Sequence, residues 1–198
     1  MLLLREPSDA EIQRFLEGQR PLPFSYPEVG ASRKGTPPGY GANHHRGRLG
    51  TGPQTFARAV EAMRHWKMYD TGWTRLCWPD APISEGTVVA VVGRHLGLKS
   101  LNACRIAYVY EDDKPSHKRY GFAVGTLPAH VERGEERFTV EWHAADDSVS
   151  YEVFAFSRPA HPLVKLAQPL ARRIQSRFAP DSLRSMATAV THHPQTKN

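Results

Sequence analysis

The sequence predicts an α+β fold in which a curved antiparallel sheet of about six or seven strands wraps a long C-terminal helix, an arrangement called a helix grip. From Trp73 to Phe156, short runs alternate apolar and polar side chains with a period of two, as half-buried strands do. After Pro162, apolar side chains recur every three or four residues as far as Val190, which predicts one long amphipathic helix. The helical patterns that precede the sheet are short. This order favours a sheet that grips the last helix.

The length of the chain is that of one domain. With 198 residues, it can bury a single sizeable core. We expect one domain over residues 1–190, in which residues 1–39 form an N-terminal wrap and residues 40–190 form the helix-grip core. Residues 191–198 are expected to be a flexible tail.

Composition and charge narrow the classes of function. The formal charge is +6, from 26 basic and 20 acidic residues, which permits acidic partners. The basic residues are spread along the chain, however, and nucleic-acid binders cluster theirs with aromatic residues. No apolar run is as long as the roughly 18 residues that a membrane span requires. The apolar start of the chain, Met1–Glu6, is too short for a secretion signal. We therefore expect a cytoplasmic protein, in which Cys77 and Cys104 are buried thiols.

The first half of the chain predicts two helices and one strand. The segment Ser8–Glu11 is a capping-box pattern, and a short helix follows over Ser8–Glu17. Prolines and glycines between Gln19 and Gly39 indicate a wrap without regular elements. The polar run Tyr40–Leu49 predicts a strand at an edge of the sheet, and the apolar stripe over Gln54–Met68 predicts a second helix.

The remaining strands are predicted as successive antiparallel neighbours. They cover Trp73–Trp78, Val88–Val92, Leu101–Tyr110, Arg119–Gly125, Arg137–His143 and Val149–Phe156. Val88–Val92 is continuously apolar, so both of its faces should be covered. The final helix is predicted from Leu163 through Phe178 to Val190, and Pro180 either kinks it or restarts it.

Several co-linear segments resemble the signature blocks of one family. They are Arg94–Leu98, Leu101–Arg105, Gly121–Pro128, Glu132–Phe138 and Phe156–Pro159. Through them the chain, from about Tyr26 to Val190, resembles the uncharacterised protein family UPF0548, the DUF1990 domain family of bacterial and plant proteins, which has no assigned function. The resemblance also implies kinship with the helix-grip (SRPBCC, Bet v 1-like) superfamily of lipid-transfer, allergen-like and polyketide-cyclase-like proteins. It supports the fold and supplies no reaction.

Strand parity singles out Glu136. It shares the apolar side of its strand with Phe138, Val140 and Trp142, whereas Glu135 and Arg137 point the other way. A carboxylate on that side needs a cation or hydrogen-bond donors, or its pKa rises. The cation is predicted to be Arg94, Arg105 or Arg158. The alternative is that Glu136 lies at the frayed start of the strand and reaches solvent.

Three further polar residues are candidates. His130 follows Pro128 in the loop between two strands, where it is either an acid or base or a histidine that caps a turn. Asn102 and Arg105 lie three residues apart, so they occupy opposite faces unless a bulge intervenes. Arg105 is either an interior ion-pair partner or part of a solvated face.

The aromatic residues predict the walls of a pocket. The histidines and the glycine-rich segments predict neither a metal site nor a cofactor site. Tyr120 and Trp142 are the expected aromatic walls, although ordinary core packing also explains the aromatic residues. His44 and His45 are adjacent and lie in no zinc-binding motif. The chain contains neither a nucleophile elbow nor a phosphate loop.

Three functional hypotheses follow. The first is the binding of a mostly apolar small molecule with a polar or acidic head in a cavity between the sheet and the C-terminal helix. Arg94, Asn102, Arg105 and Arg158 would bind its head. The second is an enzyme on the same scaffold, a cyclase, dehydratase or hydrolase with His130 or Glu136 as general acid or base. The third is nucleic-acid binding through the basic C-terminal helix. The sequence specifies neither a ligand nor an oligomeric state.

Overall fold

The computed structural model describes residues 1–95, 97–160 and 168–191 and has the predicted α+β helix-grip architecture. The strands are β1 (Leu2–Leu3), β2 (Gly41–Thr51), β3 (Thr74–Cys77), β4 (Val88–His95), β5 (Leu98–Lys114), β6 (His117–Thr126), β7 (Glu132–His143) and β8 (Ser148–Pro159). The helices are α1 (Asp9–Gln19), α2 (Pro53–Arg64) and α3 (Gln168–Thr191). Short 3-10 turns cover Ala31–Arg33 and Lys67–Tyr69.

One antiparallel sheet contains all of these strands. Its order is β2-β8-β7-β6-β5-β4-β3, so every strand from β3 to β8 lies beside its neighbour in the chain. The two-residue strand β1 pairs with β5, where Leu2 lies opposite Ser100. The polar strand β2 is at an edge, which confirms the prediction for Tyr40–Leu49.

The two helices of the first half begin where the sequence predicts. Ser8 caps α1, and Ser8 and Glu11 form a complete capping box. Pro53 is the first residue of α2. The prediction that this second helix reaches Met68 is wrong, because Trp66 adopts a left-handed backbone (φ 54°) and a 3-10 turn follows. The indole of Trp66 is buried and donates a hydrogen bond of 2.8 Å to the Ala81 carbonyl, which fixes this break.

The sheet buries both of its faces. The concave face carries the main apolar cluster, whose sheet residues include Val89, Cys104, Ile106, Tyr120, Phe122, Val124, Phe138, Val140, Val149, Tyr151 and Val153. On the outer face, α1 packs through Ile12 and Leu16 onto a second apolar cluster. Strand β4 contributes Val89 to the concave face and Ala90 and Val92 to the outer cluster, which confirms that both of its faces are covered.

Helix α3 lies on the concave face. The Ser182 hydroxyl is 2.8 Å from the Tyr151 hydroxyl of β8. A Cβ atom added to Gly47 of β2 would lie only 2.8 Å from the Leu183 side chain, so the missing side chain lets the helix approach the sheet. The helix is continuous through Pro180. The predicted helix start at Leu163–Ala167 and the tail after Thr191 lie outside the described residues.

The N-terminal wrap is anchored on the outer face by Glu135. This buried carboxylate accepts hydrogen bonds from the Tyr26 hydroxyl (2.6 Å), from the backbone N–H groups of Gly30 (2.7 Å) and Ser32 (3.0 Å), and from the Ser32 hydroxyl. Burial of a charge is tolerated where donors surround it in this way. The parity prediction that Glu135 points away from the concave face is therefore confirmed.

Candidate ligand-binding site

The candidate site is centred on Glu136, on the concave face. Strand β7 starts at Glu132, and Glu136 pairs in register with Val124 of β6 and Ala155 of β8. It lies well inside the strand, on the side of the buried residue Phe138. Glu136 therefore does not lie at a frayed strand start, although its side chain keeps some access to solvent. The side chain is half-buried.

The carboxyl of Glu136 has no hydrogen-bond donor and no cation within the described residues. Its apolar surroundings, and to a lesser extent the charge of Glu132, raise its pKa to about 8 from the ordinary 4.5. At neutral pH most molecules therefore carry a protonated Glu136, which can donate one hydrogen bond as well as accept one.

Three other polar side chains lie near enough for the charge of Glu136 to affect their pKa values. Burial, followed by the charge of Glu136, raises the pKa of the Cys104 thiol to about 12 and the pKa of the Tyr69 hydroxyl well above its ordinary value. The pKa of Tyr151 is also raised, chiefly by burial, although its hydrogen bond to Ser182 opposes the shift. All three groups are therefore neutral near pH 7 and can act as hydrogen-bonding groups.

Tyr69 connects the carboxyl region to α3. Its ring makes an edge contact with Phe138 (5.8 Å between centroids) and a tilted contact with Phe178 of the helix (5.4 Å). Its hydroxyl has no hydrogen-bond partner in the part of the chain that the structure describes. Glu136 and Tyr69 thus provide two unpartnered polar groups between the sheet and the helix.

The three arginines proposed as partners of Glu136 lie on the outer face or at its rim. Arg105 donates two hydrogen bonds to the carbonyls of Arg20 (2.8 Å) and Leu22 (2.9 Å). Arg94 pairs with Glu6 (3.2 Å), and Arg158 lies 4.6 Å from the ring centroid of Tyr40. The expectation that one of them neutralises Glu136 is not met, because strand parity directs all three away from the concave face.

The outer face around Arg105 is neither solvated nor an ion-pair site. It is covered by α1 and the wrap, and the guanidinium stacks on Phe24, 5.3 Å from its ring centroid. A bulge between Ile106 and Tyr108 then reverses the parity of β5. Val109 therefore packs on the concave side instead of sharing the side of Arg105, as the simple alternation predicted.

Asn102 lies on the concave side and His130 lies in the adjoining loop. Asn102 is buried, donates to Ser100 (3.0 Å) and accepts a hydrogen bond from the N–H of Val131 (3.4 Å). The His130 ring nitrogen accepts a hydrogen bond from the N–H of Glu132 (3.0 Å). Burial, followed by the charge of the N-terminal amine, lowers the pKa of His130 to about 4. The ring is therefore neutral at pH 7, as in the turn-capping alternative.

The two predicted aromatic walls, Tyr120 and Trp142, lie at the other end of the concave face. Trp142 is six residues beyond Glu136 along β7, which is a separation of about 20 Å at 3.3 Å per residue. Its indole donates to Asp147 (2.8 Å). Tyr120 is buried and lines a separate cleft of about 360 Å³ together with Arg64. The structure therefore does not bring these walls to the carboxyl.

Sequence reasoning missed Tyr69 and Ser182. Tyr69 follows the unexpected break at Trp66, and no period in the sequence assigns it to a face. Ser182 follows Pro180, where the sequence leaves open whether the helix kinks or restarts. The apolar stripe of the last helix, with Leu183 and Met186 one turn apart, was the available signal for its position.

Other functional features are limited in the described residues. No three His, Cys, Asp or Glu side chains converge there as a set of metal ligands. None of the described helices has both the length and the apolar composition that a bilayer span requires. In α3, Arg177 and Arg184 both pair with the buried Asp181, so these two basic residues are engaged within the protein.

The fold and the position of this site define a helix-grip protein with an unpartnered carboxyl group on the concave face of the sheet, the face that the C-terminal helix covers. The chain belongs to the DUF1990 family, a domain of unknown function, because the family model matches residues 25–185. The family resemblance found in the sequence blocks is thereby confirmed.

Known proteins support this assignment over nearly the whole chain. A UPF0548 protein of Dictyostelium discoideum is 32% identical over 207 residues, which cover 96% of each chain. A UPF0548 protein of Deinococcus radiodurans is 36% identical over 201 residues, covering 96% of this chain and 98% of the relative. The crystal structure of TTHA0849 from Thermus thermophilus superimposes with a TM-score of 0.51 at 12% identity, covering 76% of this chain and 97% of that chain. This last similarity concerns the fold alone.

Proposed function

We propose that the protein binds a mostly apolar small molecule between the concave face and α3, with the polar head of that molecule at Glu136. The observation that carries the proposal is the unpartnered carboxyl of Glu136 among apolar side chains. A carboxyl that is only partly accessible to water and has no partner in the described part of the chain is available to hydrogen-bond a ligand. A ligand is the partner we infer for Glu136.

The chemistry of the site favours a head with an acceptor oxygen. The protonated Glu136 offers an O–H donor, and the Tyr69 hydroxyl offers a second one. A hydroxyl, a carbonyl or a protonated carboxyl group would suit both donors. An ionised carboxylate head would be repelled by the charge of Glu132, which already raises the pKa of Glu136.

The surroundings of Glu136 favour an apolar body for the ligand. The neighbouring side chains on the concave face are those of Val124, Phe138 and Val153, each almost fully buried. Small-molecule sites combine such apolar walls with a few polar groups that set the orientation. Glu136 and Tyr69 provide these few polar groups.

Native mass spectrometry of freshly purified protein tests the proposal. The expected result is a co-purifying small molecule that is lost in Glu136→Leu, which keeps the size but not the hydrogen bond, and weakened in Tyr69→Phe. The control is Glu141→Gln on the same strand, because Glu141 lies on the outer face and pairs with Arg46 (2.8 Å). Wild-type protein without any bound molecule, or a molecule that Glu136→Leu retains, would contradict the proposal.

An enzyme at the same site is the second candidate, favoured by the pKa of Glu136. A carboxyl with a pKa of about 8 holds its proton at neutral pH and can deliver it to a bound substrate as a general acid. His130 suits this role less, because its pKa of about 4 leaves it unprotonated at pH 7. For any substrate found, Glu136→Gln should retain binding and abolish turnover. Unchanged turnover in this variant would reject catalysis by Glu136.

A further inference from the structure

A second cleft lies on the outer face, at the edge strand β3. It has a volume of about 630 Å³ and runs between α1 and the loop that joins β3 to β4. Its floor includes the buried side chains of Leu16 and Cys77 and the half-buried Val88. This volume is within the range of about 300 to 1,000 Å³ that is typical of small-molecule sites. It is separated from Glu136 by the thickness of the sheet.

Trp78, at the side of this cleft, is unusual in two independent respects. Its side chain is 42% exposed, although an indole is among the most favourable groups to bury. Its backbone has φ of 62°, a left-handed conformation that is costly for a bulky residue. The Trp78 carbonyl accepts a hydrogen bond from the Ala81 N–H (3.0 Å), so this backbone begins a turn, and the turn leaves the indole exposed. An exposed aromatic ring held in a strained conformation beside a cleft is typical of a binding position.

The walls of the cleft are fixed in place. Helix α1 is held by its capping box and by the burial of Ile12. On the other side, the loop is pinned by the hydrogen bond from Trp66 to the Ala81 carbonyl (2.8 Å) and by two backbone bonds of 2.9 Å that join Gly86 and Thr87 to Ile106. Rigid walls reduce the conformational entropy that the protein loses when a ligand binds.

The rim of the cleft carries one charge of each sign. Glu17 in the last turn of α1 and Arg20, the residue that caps its C-terminus, are both exposed and lie three residues apart, on one side of the helix. Neither has an ion-pair partner in the described part of the chain. The rim can therefore accept a hydrogen bond at one point and donate one at another, with no net charge.

We propose that this cleft is a second small-molecule site, which binds an aromatic molecule of low net charge that carries both a cationic or donor group and an anionic or acceptor group. The ring stacks on Trp78, and the polar ends meet Glu17 and Arg20. Aromatic pairs gain more than their buried area alone provides. The floor formed by Leu16, Cys77 and Val88 accommodates the apolar edge of the ring.

A series of four probes tests this specificity by NMR, through the indole N–H resonance of Trp78 in the ¹⁵N-labelled full chain. L-Phenylalanine has the ring and both charges, L-leucine lacks the ring, and benzoate and benzylamine each lack one charge. At up to about 10 mM, we expect L-phenylalanine to bind about tenfold more tightly than the other three, a difference of about 1.4 kcal/mol. No shift of the Trp78 resonance with any probe, or equal shifts with all four, would overturn the proposal.

The variant Trp78→Gly separates binding from folding. Glycine accepts the left-handed backbone at this position, so the melting temperature should stay the same or rise. L-Phenylalanine binding, followed in both proteins by the backbone N–H resonances of Cys77 and Val88, should fall about tenfold or more. Leu98→Ala is the matched control, because Leu98 is also 42% exposed and lies outside the cleft. Glu136→Gln should leave this binding unchanged. A marked fall in melting temperature for Trp78→Gly, or binding that survives in it, would refute the assignment.

Discussion

Replacement of Glu136 by glutamine gives the most direct test of the environment at the candidate site. The folded protein holds the Glu136 proton with a pKa of about 8, whereas the unfolded chain releases it at the ordinary 4.5. The folded pKa is the higher one, so the folded state loses stability as the pH rises from 4.5 towards 8. Glutamine has nearly the same shape and does not titrate, so the variant should lack this loss.

The magnitude follows from the difference between the two pKa values. A difference of about 3.5 corresponds to about 5 kcal/mol at 1.36 kcal/mol per pKa unit, which is an upper estimate for full ionisation. Between pH 5 and pH 7 alone, the wild type should lose about 2 to 3 kcal/mol of unfolding free energy relative to Glu136→Gln. The low pKa of His130 contributes equally to both proteins and cancels in the comparison.

Urea unfolding of ligand-free protein at pH 5, 6, 7 and 8, followed by tryptophan fluorescence, measures this difference. The variant should become progressively more stable than the wild type as the pH rises. Glu141→Gln, which removes a carboxylate from the outer face of the same strand, is the matched control. If the stability gap between Glu136→Gln and the wild type changes by less than about 1 kcal/mol between pH 5 and pH 7, Glu136 is not an uncompensated interior carboxyl.

Three further changes test how the sheet is covered on its two faces. Glu135→Ala should destabilise the protein by about 3 kcal/mol, because it leaves the buried donors of the wrap without their carboxylate, and limited proteolysis of residues 20–40 should accelerate. Gly125→Ala should also loosen the wrap, because its new methyl group would lie 2.3 Å from the Tyr26 hydroxyl; wild-type proteolysis rates would contradict this close approach. Tyr151→Phe should lower the unfolding free energy by about 1 kcal/mol through loss of the bond to Ser182, and an unchanged value in urea unfolding would show that this bond does not stabilise the docking of α3.

Most of the strand pattern and the orientation of Glu136 could be predicted from the sequence, since alternation is a local property of the backbone. A residue on a strand faces the side opposite to its immediate neighbours, so Glu135 and Glu136 were correctly assigned to different faces. The same rule failed beyond Ile106, because a bulge inserts one residue and reverses the faces. Nothing in the run of apolar residues there indicates its position.

The hydrogen-bond partners of Arg105 and Trp66 could not be predicted, because they come from distant parts of the chain. Arg105 was expected to neutralise a carboxylate, yet its donors are used by two backbone carbonyls near residue 20. Trp66 was expected inside a helix, yet the carbonyl of Ala81 holds its indole at the point where that helix ends. In both cases, a long-range hydrogen bond outweighs the local pattern.

The amino-acid order alone specifies the succession of elements, the antiparallel sheet, the terminal helix and the side of the strand on which Glu136 lies. These features depend on the local periods of 2 and 3.6 residues, which the order of apolar side chains records. Long-range packing, in contrast, places Glu136 near Tyr69 and Cys104 instead of an arginine and brings Trp78 to the border of a cleft. The proximity of such distant residues depends on how the sheet curves and how the helices pack on it. The local periods carry no information about either.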